Sequence, residues 1–328
     1  MEKLLTLSVA AYNVENYLAK ALDSCCEAKM FEYLEVLIVN DGSKDNTSSI
    51  GAFYEKQYPS VFRVIDKKNG GYGSTINAAL SCAQGKYFKL LDGDDWVSPE
   101  GLDKFLEYLS NCDSDVVVSN CRTVYEGTDH FEDFNYANTM PEGQIFNYAD
   151  VKDNFCMEMH LLAFKTENLR NAKVNIQEKC FYTDIEFVIQ GIIPSRTIEF
   201  CHALVYCYRI GREGQSVSLE GYRKHNLDHE RVLKKLMRLH EEMSKDDTAK
   251  IELIEKRIID MAKNQFTNYL RLKTSLSAWK ALINFERDLK LNHPSIYKGM
   301  KGNVIKIARN TMYLPYPLLS LYTIKKSK

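Results

Sequence analysis

The sequence predicts an α/β protein in which a mainly parallel sheet is flanked by helices and followed by a helical C-terminal appendage. The first observation is that short apolar runs alternate with segments of helical spacing up to residue 119. The second is that each run is apolar at nearly every position, which is typical of strands buried on both faces. The third is that apolar residues beyond residue 219 recur at helical spacing, as in antiparallel helices.

The predicted elements follow one another in a regular order. The strands cover residues 4–10, 35–39, 62–65, 87–91 and 116–119, and the helices cover residues 15–28, 74–83 and 99–109. After residue 125 the alternation fades into a loop-rich stretch, before a helix over 183–192 and a strand over 196–208. A chain of 328 residues is long enough for one large domain and an appendage, so we predict domains at 1–218 and 219–328.

Charge is distributed unevenly along the chain, although the formal net charge is only −1. No acidic residue follows Asp288, and eight lysine and arginine residues lie beyond it. The first 288 residues therefore carry a net charge of −9. This asymmetry predicts that the basic C-terminal stretch faces an anionic surface, and we expect no nucleic-acid partner.

The nine cysteines indicate a reducing compartment, because no two of them form a C-x-x-C pair and several lie in apolar stretches. The apolar run that starts at Leu4 is too short for a signal peptide or a membrane span, and we interpret it as the first strand. We therefore predict a cytoplasmic location.

Polar residues stand at the ends of three predicted strands. Tyr12 and Asn13 follow the first strand, Asp41 follows the second, and Asp92 to Asp94 follow the fourth. Ligands of parallel sheets bind beyond the carboxyl ends of the strands, so these residues are expected to line one binding edge. For Asp41 alone, a turn followed by a helix cap is the competing interpretation.

Residues 69–74 (NGGYGS) form a glycine-rich stretch before a predicted helix, which suits the approach of a phosphate to exposed backbone N–H groups. The stretch is not a dinucleotide-binding fingerprint, because Ile76 stands where the third glycine would fall. No G-x-x-x-x-G-K-[ST] motif occurs in the chain, so a P-loop nucleotidase is also unlikely on this pattern. A flexible loop without a ligand remains the alternative interpretation.

Residues 89–96 (KLLDGDDW) read as a buried strand that ends in three carboxylates, Asp92, Asp94 and Asp95. Like charges this close disfavour each other's ionisation unless a cation or hydrogen bonds compensate. Mg²⁺ and Mn²⁺ prefer oxygen ligands, and Mg²⁺ takes one or two protein carboxylates together with phosphate oxygens. The pattern therefore predicts a metal–diphosphate site, with a solvated acidic turn as the alternative. Asp95 is left without an assigned role.

Three further charged residues are candidates for the same chemistry. Asp184 opens an apolar helix, where it is either an N-cap or a general base near a reacting hydroxyl. Arg209 and Arg212 stand near a predicted turn, where they either clamp a phosphate or lie on a solvated surface. The residues alone do not separate these alternatives.

Taken in order, these stretches resemble glycosyltransferase family 2 over residues 4–218. No single motif is decisive, but six in the right order are highly specific. The motifs that carry the resemblance are residues 11–13 (AYN), 38–43 (IVNDGS), 69–77 (NGGYGSTIN), 85–96 (GKYFKLLDGDDW), 182–184 (YTD) and 206–218.

The resemblance implies a GT-A fold that transfers a sugar from a UDP-sugar with inversion at the anomeric carbon. It implies a donor and metal site in residues 1–124 and an acceptor side in residues 125–218. By this similarity Tyr12, Asn13 and Asp41 hold the nucleoside, with Asp41 accepting from uracil. It also implies that Asn69, Ser74 and Asn77 line the donor pocket and that Asp92, Gly93, Arg209 and Arg212 belong to the nucleotide-sugar site. By the same similarity Asp94, with Asp92, ligates Mn²⁺ or Mg²⁺, and Asp184 is the base.

The sequence departs from the family pattern at two positions. Ala11 replaces a proline that is frequent before the first tyrosine, and Thr183 replaces a glutamate that commonly precedes the base. The second change leaves the acceptor open among a cell-surface glycan, a lipid-linked saccharide and a glycoconjugate. The sugar, the linkage and any homo-oligomer are likewise left open.

Two other functions compete with transfer. One is a non-catalytic nucleotide-sugar-binding scaffold, against which the retention of Asp92, Asp94 and Asp184 argues. The other is an NDP-sugar nucleotidyltransferase, which usually begins with a glycine- and arginine-rich loop after the first strand. This chain has residues 11–15 (AYNVE) at that position, which argues against the second alternative.

Residues 303–313 (NVIKIARNTMY) predict an amphipathic basic helix, and apolar residues 314–322 follow it. On a helical wheel Ile305 and Ile307 fall with the apolar residues, while Lys306 and Arg309 fall with the polar ones. Such a tail suits peripheral attachment to the anionic inner face of the cell membrane. Docking on the body of the protein or on a partner subunit is the alternative.

Overall fold

The computed structural model describes residues 2–152, 155–212, 219–272 and 275–326, and the chain divides into two compact units, Met1–Arg212 and Glu213–Lys328. The first unit is built on one mixed sheet. Its strands in the described residues are β1 (Leu5–Ala11), β2 (Leu34–Asn40), β3 (Phe62–Asp66), β4 (Tyr87–Asp92), β5 (Trp96–Val97), β6 (Val116–Tyr125), β7 (Phe131–Phe134), β8 (Leu162–Lys165) and β9 (Ile198–Ile210).

Helices connect most of these strands. Those described in the first unit are α1 (Leu18–Cys26), α2 (Thr47–Gln57), α3 (Tyr72–Cys82), α4 (Pro99–Asn111), α5 (Tyr148–Val151), α6 (Thr166–Asn171) and α7 (Asp184–Ile192). The predicted strands and helices up to residue 119 are all present, within a few residues of the predicted bounds. Every residue of β2 is buried, so helices and loops cover both faces of the sheet there.

The strand order is β3-β2-β1-β4-β8-β6-β9-β5, with β7 paired to β6. The pairs β3–β2, β2–β1 and β1–β4 are parallel, as predicted. The second half of the sheet differs from the prediction, because β8 runs antiparallel to both β4 and β6. The strands β7 and β8 have only four residues each, too few to produce a readable pattern in the sequence.

The register of the parallel strands sets the position of the predicted binding edge. Ala11 of β1 is level with Asn40 of β2, and Ala10 is level with Asp92 of β4. The residues that follow these three strands therefore leave the sheet side by side. This brings the loops that begin at Tyr12, Asp41 and Gly93 to one carboxyl edge.

The second unit is helical, as predicted. Its described helices are α8 (Leu219–Lys224), α9 (Asn226–Glu241), α10 (Thr248–Arg271), α11 (Leu276–Asn292), α12 (Pro294–Gly299), α13 (Asn303–Asn310) and α14 (Tyr316–Lys326). The long helix α10 packs against α9, α11, α12 and α14 and forms the centre of the unit. Among the described residues, no helix combines the length and apolar character needed to cross a membrane.

A buried carboxylate fixes α13 to α11. Glu286 is only 2% exposed and accepts hydrogen bonds from Arg309 Nε (2.7 Å), Arg309 Nη2 (3.0 Å) and the Tyr313 hydroxyl (2.7 Å). The two-pronged contact between guanidinium and carboxylate is strong and directional. Arg309, which the helical wheel places with the polar residues, therefore points to a buried partner, whereas Ile307 is 48% exposed.

We predict that Gly101→Ala lowers the free energy of unfolding by about 2 kcal/mol, because overpacking forces neighbouring backbone apart. A Cβ at Gly101 would lie 1.6 Å from the carbonyl oxygen of Leu204, so α4 would have to move away from β9. Urea denaturation measures the change. The control is Gly51→Ala, whose Cβ would meet only side-chain methyl groups, the nearest at 3.1 Å. Equal losses in both variants would contradict the packing argument.

Candidate active site

Asp41, directly after β2, organises the glycine-rich loop. Its carboxylate accepts hydrogen bonds from Lys67 Nζ and from the N–H groups of Gly70 and Gly71, all at 2.8 Å. The Asp41 side chain is only 4% exposed. Asp41 therefore holds the loop against the end of β2. Its predicted contact with a uracil ring stays a prediction.

Two of the predicted nucleoside-binding residues stand at the rim of this edge. The side chain of Tyr12 is 48% exposed, which leaves an aromatic face open to a ligand. Asn13 has a left-handed backbone (φ 52°), and its side-chain oxygen accepts from the Lys44 N–H at 2.9 Å. Asn69 is exposed on the glycine loop. Tyr12 and Asn69 can thus meet a ligand without any rearrangement of the chain.

The predicted pocket residues Ser74 and Asn77 lie on α3 and are engaged with protein groups. Ser74 Oγ accepts from Lys67 Nζ at 2.7 Å and is buried. The Asn77 side chain donates to the Ile176 carbonyl and accepts from the Ile176 N–H, both at 2.8 Å. Asn77 therefore ties α3 to the segment that leads into α7.

The three carboxylates after β4 lie together but have different partners. Ligand oxygens of Asp92, Asp94 and Asp95 all lie within 4.8 Å of one another. Asp92 Oδ1 accepts from the Tyr72 hydroxyl at 2.7 Å, and Asp94 forms an ion pair with Arg212. We call Asp92, Asp94 and Asp95 the acidic turn.

Asp95 is the buried support of the acidic turn. It is 2% exposed, and its two oxygens accept from the Tyr206 hydroxyl and the Arg209 N–H, both at 2.7 Å. The same Tyr206 hydroxyl accepts from the Asp92 N–H at 3.1 Å. Asp95 thus joins the acidic turn to β9, a role that the sequence left unassigned.

Burial and mutual repulsion shift the acidic turn away from ordinary carboxylate behaviour. Burial, followed by the charge of Asp94, raises the pKa of Asp92 to about 7, against the opposing hydrogen bond from Tyr72. The charge of Asp184 acts in the same direction on that pKa. Burial and the charge of Asp92 also raise the pKa of Asp95. Such a site favours a cation.

The two predicted arginines supply part of that positive charge. Arg209 is 8% exposed, forms an ion pair with Glu126, and donates from Nε to the Asp94 carbonyl at 2.8 Å. Its guanidinium lies 4.9 Å from the ring of Trp96. Arg209 is thus a buried support of the acidic turn, while Arg212 contacts the Asp94 carboxylate itself.

Gly93 permits the close approach of two strand ends. A Cβ at this position would lie 2.8 Å from the Ala10 carbonyl oxygen, which is closer than real Cβ contacts. The missing side chain therefore lets the acidic turn pack against β1. The predicted contact between Gly93 and a nucleotide sugar stays a prediction.

Sequence reasoning assigned no role to Lys67, Tyr72 or Tyr206, although all three touch the site. Tyr206 lies on β9 and Tyr72 begins α3, and both hydroxyls bond to the acidic turn. Tyr72 stands inside the glycine-rich stretch, which is the one signal that could have identified it. Nothing in the local pattern of Lys67 or Tyr206 indicates their partners, which are 26 and 111 positions away.

The oxygen atoms of the acidic turn fit a divalent cation. Within the described part of the chain, Asp92 Oδ2 and Asp94 Oδ1 accept no protein hydrogen bond, while both oxygens of Asp95 do. Two carboxylates with one open oxygen each match the small number of protein ligands that Mg²⁺ takes. Asp92 and Asp94 would therefore hold the ion, and Asp95 would not.

Residues 6–165 match the family described as Glycosyl transferase family 2. This part of the chain belongs to glycosyltransferase family 2. The chain is 27% identical to the putative glycosyltransferase EpsH of Bacillus subtilis over 220 residues, which cover 63% of the chain and 60% of EpsH. It is 38% identical to the chondroitin synthase of Pasteurella multocida over 109 residues, 33% of the chain and 11% of that protein.

The chain shares its fold with solved structures. A crystal structure of S. aureus TarS, residues 1–349, in complex with UDP-GlcNAc aligns with 99% of the chain and 90% of the TarS chain. The TM-score is 0.67 and the sequence identity 16%. The fold is therefore GT-A-like, as the motif resemblance implied, with the helical C-terminal region that the helical spacing predicted.

We predict that Tyr206→Phe lowers the free energy of unfolding by about 2 kcal/mol, because the buried Asp95 carboxylate loses a hydrogen-bond donor. Tyr208→Phe is the matched control. In the described chain the Tyr208 hydroxyl has no hydrogen-bond partner, so its loss is expected to change stability by less than about 0.5 kcal/mol. Chemical denaturation of both variants checks this, and equal stabilities would contradict the role given to Tyr206.

Proposed function

We propose that this protein transfers a sugar from a UDP-sugar to a hydroxyl of a cell-surface glycan, a lipid-linked saccharide or a glycoconjugate, with inversion. The observation that carries the proposal is the acidic turn at the carboxyl edge of the sheet, where Asp92 and Asp94 lie together and each keep one oxygen that accepts no hydrogen bond from the described residues. Such a pair suits a metal diphosphate, and Asp184 at the start of α7 is the carboxylate that we propose as the base. Structures of TarS with UDP-GlcNAc and with UDP support a uridine nucleotide as the donor.

The donor is proposed to lie along the edge formed by β1, β2 and β4. Tyr12 is exposed and offers an aromatic face for the base. Asn13 and Asp41 border the same pocket, and Asn69, Ser74 and Asn77 form its wall on the glycine loop and α3. The hydrogen bonds from Lys67, Gly70 and Gly71 to Asp41 fix this wall in place before the donor arrives.

The diphosphate is proposed to sit against the acidic turn. A divalent ion, Mn²⁺ or Mg²⁺, held by Asp92 and Asp94 would neutralise the charge that gathers on the leaving diphosphate. Arg212 now pairs with Asp94 and carries a positive charge that a diphosphate can share. Arg209 stays buried and keeps Asp94 and Asp95 in position.

Asp184 is proposed as the general base. It is the first residue of α7, where the helix dipole favours the carboxylate form. The carboxylate takes the proton of the acceptor hydroxyl as the acceptor oxygen bonds to the anomeric carbon. The bond from that carbon to the β-phosphate oxygen breaks on the opposite face, and UDP leaves. A single displacement of this kind inverts the anomeric centre and needs only one carboxylate as base.

The acceptor side is proposed to lie within residues 125–218, of which 153–154 and 213–218 fall outside the described residues. Thr183 precedes the base and provides no second carboxylate for the acceptor. We place the reaction in the cytoplasm at the inner face of the cell membrane, where lipid-linked acceptors are exposed. The nine free cysteines support a reducing compartment.

We predict that Asp94→Ala weakens Mn²⁺-dependent UDP binding at least about tenfold, because one of two metal-ligating carboxylates is lost. Isothermal titration calorimetry with UDP, in Mn²⁺ and in EDTA, measures the effect. The titration in EDTA is the internal control, since only the metal-dependent part of the affinity is expected to fall. Unchanged affinity in Mn²⁺ would remove Asp94 from the metal site.

We predict that Asp184→Asn keeps UDP and Mn²⁺ binding within about twofold and lowers transfer about a thousandfold, because the amide cannot accept the acceptor's proton. Thermal-shift assays with a panel of UDP-sugars identify the donor, and UDP release in an acceptor screen measures turnover. Glu167→Gln is the control, because it removes an exposed carboxylate from the first turn of a different helix, α6. Intact turnover in Asp184→Asn would overturn the base assignment.

A further inference from the structure

We propose that the second unit carries a docking surface for an anionic lipid bilayer, centred on the outer face of α14. The surface, called here the tail surface, consists of large apolar side chains that are more than half exposed. They are Leu276, Met312, Leu314, Leu318, Leu321 and Tyr322.

The inner face of α14 is fixed to the helical unit. The Tyr316 hydroxyl donates to the Tyr269 carbonyl at 3.0 Å, and Ser320 Oγ donates to the Leu270 carbonyl at 2.8 Å. Both side chains are buried, and their spacing of four residues places them on one side of the helix. The helix is thus anchored on α10 by its inner face alone.

The outer face of α14 is a continuous apolar stripe. Leu318, Leu321 and Tyr322 are 69%, 54% and 56% exposed. They follow helical spacing and lie opposite Tyr316 and Ser320. These large apolar side chains therefore gain little from packing within their own unit, and their exposure indicates a partner outside it.

A groove extends the stripe beyond α14. It has a volume of about 400 Å³ and is lined by Leu276, Leu314, Trp279 and Pro317 among others. Leu276 and Leu314 are 74% and 70% exposed. Contiguous exposed apolar surface of this kind marks an interaction site on a protein.

The charge around the tail surface selects its partner. Exposed lysines stand before it, between its helices and at its end, at Lys298, Lys301, Lys306 and Lys325. No acidic residue follows Asp288 to balance them, and Arg309 is already paired with Glu286. A second copy of this chain would bring the same lysines against these, whereas anionic lipid headgroups attract them.

The geometry favours a bilayer interface over a span. Within the described residues no helix can cross a membrane, and α14 has only 11 residues. A short helix with an apolar face and lysines beside it lies in the plane of the headgroups, with its apolar side chains among the acyl chains. Tyr322 suits this depth, because its ring is apolar and its hydroxyl is polar.

Membrane binding and sugar transfer can be tested separately. The tail surface belongs to the second unit, and none of its residues is assigned to the donor or the base. Membrane binding by the tail surface is therefore independent of the proposed sugar transfer. UDP and Mn²⁺ binding reports on the donor site, and vesicle binding reports on the tail surface.

The test is flotation of the full chain with phosphatidylcholine vesicles, with and without phosphatidylglycerol. We expect binding to the anionic vesicles, weakening with salt, and a decrease of about tenfold or more in Leu318→Asp/Leu321→Asp. Lys325→Glu is expected to weaken binding to anionic vesicles alone. Leu227→Asp is the matched control, because Leu227 is a 74% exposed leucine on α9 of the same unit. Unchanged melting temperatures and unchanged UDP binding would show that the variants remain folded.

Three outcomes would overturn the proposal. One is the absence of vesicle binding by the unaltered protein at low salt. Another is equal binding to neutral and anionic vesicles, which would leave the lysines without a role. The third is a homo-oligomer, seen by light scattering, that dissociates in Leu318→Asp/Leu321→Asp, because a second copy would then cover the tail surface.

Discussion

The concentration of negative charge after β4 is the constraint on which the site depends. Three carboxylates with oxygens within 4.8 Å of one another would repel unless other groups compensated. That compensation comes from Tyr206 and Arg209 on β9 and from Arg212, which follows the strand. The pairing of β9 with β6 therefore serves the site as well as the sheet. The negative charge that these groups leave uncompensated is suited to one further cation.

Three aspartates in one turn have different tasks because their surroundings differ. Asp95 is buried and takes a protein donor on each oxygen, so it is structural. Asp92 and Asp94 each keep one oxygen that accepts no hydrogen bond from the described residues. Asp41 resembles Asp95 in this respect, because its carboxylate accepts hydrogen bonds from protein groups, namely Lys67 and the glycine loop. In the proposed function, rigid support of this kind would orient the diphosphate before the reaction begins.

The parallel half of the fold, and the meeting of its polar strand ends at one edge, could be predicted from the sequence, because β1, β2 and β4 are mainly apolar and are followed by polar motifs. The short strands β7 and β8 could not, since four residues carry no periodicity. The role of Asp95 was also beyond sequence reasoning, because its partners Tyr206 and Arg209 lie 111 and 114 positions away. In the second unit the amphipathic pattern was readable, but the inward turn of Arg309 depends on Glu286, whose burial no local pattern indicates.

The central claim, that the acidic turn holds a metal-bound nucleotide diphosphate, is tested most directly by anomalous diffraction at the manganese edge from crystals grown with UDP and Mn²⁺. The account predicts one anomalous peak within coordination distance of Asp92 or Asp94, with diphosphate oxygens completing its shell and Arg212 moved from Asp94 toward the phosphates. It also predicts that Asp95 keeps its bonds to Tyr206 and Arg209. A manganese peak bound through Asp95, or UDP bound away from the edge of β1, β2 and β4, would contradict it.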